Sequence, residues 1–218
     1  QGYEVVVFDD LSNASKESIE RIEKIAGKRP ELCIVDLKNK NATSAAFEAH
    51  KEALAVVHFA AYKAVKESVD RPLQYYENNF FSLINTLTAQ QKLGINNFIF
   101  SSSATVYGMP ETCPVTEKSP VSKPFSPYGN TKKIAEEILK DHTAANLDFS
   151  VISLRYFNPI GAHESGEIGE LPNGIPNNLM PYITQTAAGI REKLMVFGND
   201  YPTKDGTAIR DYIHVMDL

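Results

Sequence analysis

NFIFSSSATVYG, residues 97–108, followed by SPYGNTKKIAEEILK, residues 126–140, decides how this chain is read. Phe98-Ile99-Phe100 is a short apolar run flanked by Gly94 and Asn96-Asn97, which predicts a buried strand, and Ser101-Ser102-Ser103 sets hydroxyls at its carboxyl end. In an open α/β sheet, ligands bind at that end of the strands. Downstream, Pro127 opens a helix running to about Asn146, and Tyr128 and Lys132, four residues apart, share one of its faces. A free tyrosine is a poor base at neutral pH, and a nearby ammonium favours the ionised phenol that base chemistry needs. Ser103 could hydrogen-bond the same oxygen. The spacing alone is weak, because Tyr62 and Lys66 repeat it, and an isolated pair reads as a core tyrosine beside a surface lysine. The serine-tipped strand and the proline-opened helix set Tyr128 apart.

Outward from this stretch, strands alternate with helices. Val5 to Phe8 is β-branched and ends in Asp9-Asp10, with a helix beginning near Ser15; an acid at such a strand end binds a ribose 2′-hydroxyl or simply caps a turn. Leu32 to Val35 ends in Asp36-Leu37, and Ala55 to Phe59 continues into HFAAYKAV, where Ala60 and Ala61 leave little side chain between backbone and a ligand. His58 is expected to pack within its strand, not to bind metal. Pro72 to Lys92 predicts a long helix stopped by Gly94, and Phe149 to Leu154 another strand. The alternation from Val5 to Leu154 predicts a doubly wound parallel sheet, a dinucleotide-binding fold. RYFNPIGAH marks a crossing into a second domain, so the expected division is 1–155 and 156–218, the latter part of a smaller α/β domain.

The chain has 218 residues, 43% apolar and 22% charged, an ordinary globular composition. Its formal net charge of -5, without a basic run, argues against a nucleic-acid or anionic-membrane partner. Cys33 and Cys113 are its two cysteines, so neither a disulfide framework nor a metal-ligand cluster is predicted. No signal peptide or 18-residue apolar run is found, and a cytoplasmic protein is expected.

FSSSATVYG, SPYGNTK, LRYFNPIGAH, GIPNNLMPYI and VFGNDYPTKDGTAIRDYIHVMDL, in that order, closely resemble the UDP-glucose (UDP-galactose) 4-epimerases, in the extended branch of the short-chain dehydrogenase/reductases. The similarity runs from about Gly2 to Leu218. It implies NAD as cofactor, with Asp9 on the adenosine ribose, Leu11, Ser12, Asn13 and Ala14 beside it, and Asp36 and Leu37 around the adenine. Asp10 would repel a 2′-phosphate, which favours NAD over NADP. The resemblance implies that Phe59, Ala60, Ala61, Tyr62 and Lys63 line the cofactor, that Asn78 contacts it, and that Phe157 lies against the nicotinamide. It sets Asn158, Asn178, Leu179, Val196, Phe197 and Arg210 on the UDP-sugar, Arg210 as a planar fork on the diphosphate. No metal is implied.

The function so implied is interconversion of UDP-glucose and UDP-galactose, in galactose metabolism, by a homodimer paired through its two long helices. Hydride leaves sugar C4 for NAD and returns to the other face of a 4-keto sugar. Tyr128 would be base and then acid, Ser103 would orient the hydrogen bond, and Lys132 would bind the nicotinamide ribose and bias Tyr128 toward its ionised form. A sugar-nucleotide 4,6-dehydratase is the nearest alternative. It needs an acid and a base near the serine, where this chain has Ala104-Thr105. A non-catalytic nucleotide-binding protein is the other alternative, opposed by the presence of all three reactive residues. No glycine-rich loop stands between a strand and a helix, so an internal fragment of a longer enzyme is expected, with the edge of Val5 to Phe8 unpaired.

Overall fold

The computed structural model describes residues 2–172, 174–176 and 178–218. Asn177 of the GIPNNLMPYI motif lies outside them. The elements run β1 (Val6–Asp9), α1 (Glu17–Ala26), β2 (Glu31–Ile34), α2 (Lys40–Ala49), β3 (Val56–His58), α3 (Val65–Asp70) and α4 (Pro72–Leu93). They continue with β4 (Asn97–Ser101), a 3₁₀ turn (Ala104–Tyr107), α5 (Pro127–Ala145), β5 (Ser150–Leu154), β6 (Asn158–Ile160), α6 (Leu179–Ala187) and β7 (Tyr212–His214).

Two compact units result. The first holds residues 1–14 and 30–156, the second 15–29 and 157–218. The sequence placed one boundary at 155/156. The segment around α1 instead belongs to the second unit, where Arg21 donates to the Glu167 carbonyl at 3.2 Å and Lys24 pairs with the Glu167 carboxylate. Such a link between residues 143 or more apart leaves no local trace in the chain.

In the first unit every ladder is parallel, as a Rossmann-like fold requires. Val7 pairs with Leu32 in the β1–β2 ladder, Val57 with Ile99 between β3 and β4, and Ile99 with Ile152 between β4 and β5. The five strands form two ladders, β1-β2 and β3-β4-β5, so the edge of β1 expected to be unpaired has no strand neighbour among the described residues. Helix α4 joins the two. Leu83 and Leu87 pack with Phe98 and Phe100 of β4, Ala135 and Leu139 of α5, and Phe149. Ala89, with Phe47 of α2 and Ile95, packs against Phe8 of β1 and Val56 of β3. Each large side chain so buried contributes about 2 kcal/mol.

Local chemistry sets the ends of the long helices. Pro72 occupies the first turn of α4, and Gly94 ends it at φ 70°, its amide bonded to the Gln90 and Gln91 carbonyls. Ser126 caps α5 by accepting from the Gly129 amide at 3.1 Å.

In the second unit β6 pairs parallel with β7, Asn158 opposite Tyr212 and Ile160 opposite His214. Gly161, at φ 91°, lies so near that a Cβ there would stand 2.2 Å from the His214 ring. Neither three-residue strand was expected. Among the described residues no helix is long and apolar enough to cross a membrane.

Candidate active site

β4 delivers Ser101 to the carboxyl edge, and Ser102 and Ser103 follow as buried residues. The Ser103 Oγ accepts from the Thr105 amide at 3.2 Å and from the Thr105 hydroxyl at 3.0 Å, which starts the 3₁₀ turn. That turn is tied down by the Ala104 amide, which donates to the Tyr156 carbonyl at 3.1 Å. Helix α5 can begin against it because residue 129 is glycine. A Cβ there would meet Pro124 Cβ at 2.8 Å and Thr105 Oγ1 at 3.3 Å. Gly129, unremarked in the sequence, thus lets Tyr128 come up beside Ser103.

Lys132 is 4% exposed, and its ammonium donates to the Ser101 carbonyl at 2.7 Å while lying 4.9 Å from the Phe100 ring centre. It stands 6.0 Å from the ring centre of Tyr128. Burial lowers its pKa to about 8. Burial raises the pKa of Tyr128, the Ser103 hydroxyl acts to lower it, and Tyr156 raises it further. The Lys132 ammonium is turned to the Ser101 carbonyl, and the influences that act on the Tyr128 phenol are burial, the opposing Ser103 hydroxyl, and Tyr156. His58 is neutral in its strand, its pKa lowered to about 3 by burial and then by the Lys132 charge, and its ring stacks on Phe98 and Phe100. Among the described residues no group of three His, Cys, Asp or Glu could hold a metal ion.

Of the residues expected around a dinucleotide, Asp9 ends β1, Asp36 follows β2 and Phe59 follows β3. Asp9 accepts the Leu11 amide at 2.7 Å, and Asp10 accepts the Ser12 amide and hydroxyl at 2.9 and 2.7 Å, so Leu11 turns through φ 58° in a tight loop ahead of Asn13 and Ala14. Burial acts to raise the Asp10 pKa, but the Ser12 bonds and the Lys38 charge leave it lowered. Asp36 is exposed and accepts the Lys38 amide, while the Leu37 carbonyl receives Thr43 and Asn85. Ala60 and Ala61 line, with His58, Asn79, Thr131 and Lys132, a cavity of about 10 Å³. Phe59 and Lys63 are exposed.

Asn78 is half-buried and donates to Asn79 at 3.0 Å. It is Asn79 that fastens the loop: its Oδ1 accepts the Tyr62 amide at 2.8 Å, and its Nδ2 donates to the Tyr62 carbonyl at 3.1 Å and Thr131 Oγ1 at 3.0 Å. Adjacent asparagines look alike in sequence, and the helix phase relative to the core separates them.

In the second unit the β6–β7 ladder sets Asn158 beside Asp211 and Tyr212, next in sequence to Arg210. Arg210 is exposed, its guanidinium donating to the Ile209 carbonyl at 2.8 Å. Asn178 precedes α6 and donates to the Glu170 carboxylate; Leu179 begins the helix. Phe157 is partly exposed, and Val196 and Phe197, 72% and 90% exposed, lie in an irregular segment apart from the ladder.

A serine, a tyrosine and a lysine thus lie together about the carboxyl end of one strand of a Rossmann-like unit. The model of the NAD dependent epimerase/dehydratase family matches residues 1–218, and the chain belongs to that family. It is 56% identical over 218 residues to the UDP-glucose 4-epimerase of Bacillus subtilis (strain 168) and 53% identical to that of Erwinia amylovora. All of this chain is covered in both, and it spans 63% and 64% of their lengths. The crystal structure of the Bifidobacterium longum UDP-glucose 4-epimerase, in complex with NAD+ and UDP, superposes with a TM-score of 0.95 at 44% identity, over 99% of this chain and 64% of that one.

Proposed function

We propose that the protein interconverts UDP-glucose and UDP-galactose with NAD as its bound cofactor. The observation that carries this is the gathering of Ser103, Tyr128 and the buried Lys132 at the end of β4. The residues fit the cofactor: Ala60 and Ala61 place only methyl groups just past β3, Asp9 and Asp10 stand at the end of β1, and Ser101 takes one of the three donors of Lys132. When bound, NAD supplies a reversible acceptor for the hydrogen at sugar C4.

The chain's own groups do the rest. Tyr128 takes the proton of the 4-hydroxyl and later returns it, Ser103 holds that hydroxyl in line, and Lys132 turns from Ser101 to the nicotinamide ribose. Phe157 borders the nicotinamide, Asn78 and Lys63 contact the cofactor, and Arg210, Asn158, Asn178, Leu179, Val196 and Phe197 hold the UDP-sugar. A dehydratase would need a free acid and base near Ser103. Here Thr105 gives its hydroxyl to Ser103, and the nearby carboxylate of Glu136 is forked to Arg155. A homodimer belongs to the same reading, supported by exposed Leu73, Phe81 and Ile84 on α4. So does a cytosolic location, supported by the free thiols of Cys33 and Cys113. The test is to incubate the full-length protein with UDP-galactose. UDP-glucose should form without added NAD, and formation of a 6-deoxy-4-keto sugar nucleotide, or no product, would overturn the reading.

A further inference from the structure

Behind the serine turn lies a buried ion pair that the reaction as described does not use. Glu136, four residues beyond Lys132 on α5, and Arg155, just past β5, have side chains only 13% and 22% exposed. Arg155 donates through Nε to Glu136 Oε1 at 2.9 Å and through a terminal nitrogen to Oε2 at 2.6 Å. Its other terminal nitrogen donates to the Tyr107 hydroxyl at 3.3 Å, and the guanidinium sits 5.1 Å from the Tyr107 ring centre. Ser102, 1% exposed, donates its hydroxyl to Glu136 Oε1. One carboxylate is thus held from the serine strand and from the end of β5, while riding on the helix that carries Tyr128. A carboxylate taken this far from water is costly unless it is fully partnered, and this one has three donors.

Each anchor adjoins a reacting position. Ser102 precedes Ser103, Glu136 follows Lys132 by one turn, and Arg155 precedes Tyr156, whose carbonyl takes the Ala104 amide and whose hydroxyl bonds Ser101. We propose, taking Ser103, Tyr128 and Lys132 as the reactive set, that Glu136 is a positioning residue: with Ser102 and Arg155 it fixes the serine turn against α5, so that Ser103 stays within reach of the Tyr128 phenol. The groups facing that phenol are Ser103 from the turn, Tyr156 from the segment after β5, and Lys132 from its own helix. Glu136, Arg155 and Tyr107 form the layer behind, and His58 of β3 faces Lys132.

A merely structural pair would alter stability and leave the ionisation of Tyr128 alone. The test uses the full-length protein with Ser102→Ala, which cuts the carboxylate from the serine strand, and Glu136→Gln, which removes the charge. Should Glu136→Gln fail to fold, Ser102→Ala keeps the ion pair and decides. Tyr128 is titrated by its tyrosinate absorbance, as the difference from a Tyr128→Phe protein in each background. Loosening Ser103 should shift the ionisation to higher pH, and in the epimerase assay kcat should fall about tenfold with KM within about twofold. An unmoved titration overturns the proposal, whatever kcat does. A wild type without epimerase activity defeats the functional reading alone, since the titration still tests the positioning.

Discussion

The phenol of Tyr128 is half-buried beside Ser103 and faces Tyr156, a setting that holds its proton more firmly than water would. In the proposed reaction that one oxygen is the proton carrier. Tyr128→Phe should keep the fold and bound NAD while lowering kcat by about 10²–10⁴-fold, measured by coupled detection of UDP-glucose. Retention of more than about a third of wild-type turnover would remove Tyr128 from this role. In the proposed reading Asp9 and Asp10, at the end of β1, meet the adenosine ribose, and two carboxylates there would repel a 2′-phosphate. NAD should bind more tightly than NADP in calorimetry. Asp9→Ala should narrow the gap, because it removes an acceptor for the 2′-hydroxyl and part of the repulsion. Tighter binding of NADP by the unmodified protein would contradict this.

The elements that bear the site announce themselves unevenly. Helix α5 is legible because Ser126 and Pro127 are local start signals, and Ser126→Ala should lower stability by about 1 kcal/mol, seen as a lower urea midpoint at unchanged slope. β4 is legible as an apolar run between polar punctuation. β6 and β7 were not: each is three residues long, β6 contains Pro159, and the pairing joins segments some fifty residues apart, so no local period betrays it. The Glu136–Arg155 pair is hidden similarly, although Glu136 one turn past Lys132 on the same face was a signal that could have been followed. β3 carries a testable linkage through His58. Its folded pKa of about 3 lies below the unfolded value, so only the unfolded chain takes up the proton between those limits. The contribution is full above about pH 6.5 and is lost as pH falls toward 3, by at most about 1.4 kcal/mol per pH unit. Denaturation of His58→Phe across that range should show a shallower pH slope than wild type; an identical slope would contradict the buried neutral imidazole. Lys132 acts at the other limb, where stability should rise as pH climbs from about 8 toward 10.5.

At the scale of the molecule, the first unit carries the serine turn after β4 and, on α5, Tyr128 and the buried Lys132, while the second unit carries the other residues assigned to the sugar nucleotide. The end of the strand was legible at RYFN, where β5 gives way to Pro- and Gly-rich sequence. The membership of α1 in the second unit was not, because its contacts there, Glu167 with Arg21 and Lys24 among them, join residues far apart in the chain. The chain spans about 64% of its relatives' length, so whole-protein chemistry is tested on the full-length protein. The central claim is that hydrogen leaves C4 of the sugar and returns to the same carbon without entering water. UDP-galactose deuterated at C4, converted by that protein in ordinary water and analysed by mass spectrometry, should give UDP-glucose that keeps its deuterium at C4. Loss of that deuterium to solvent would mean proton abstraction at carbon and would contradict the account.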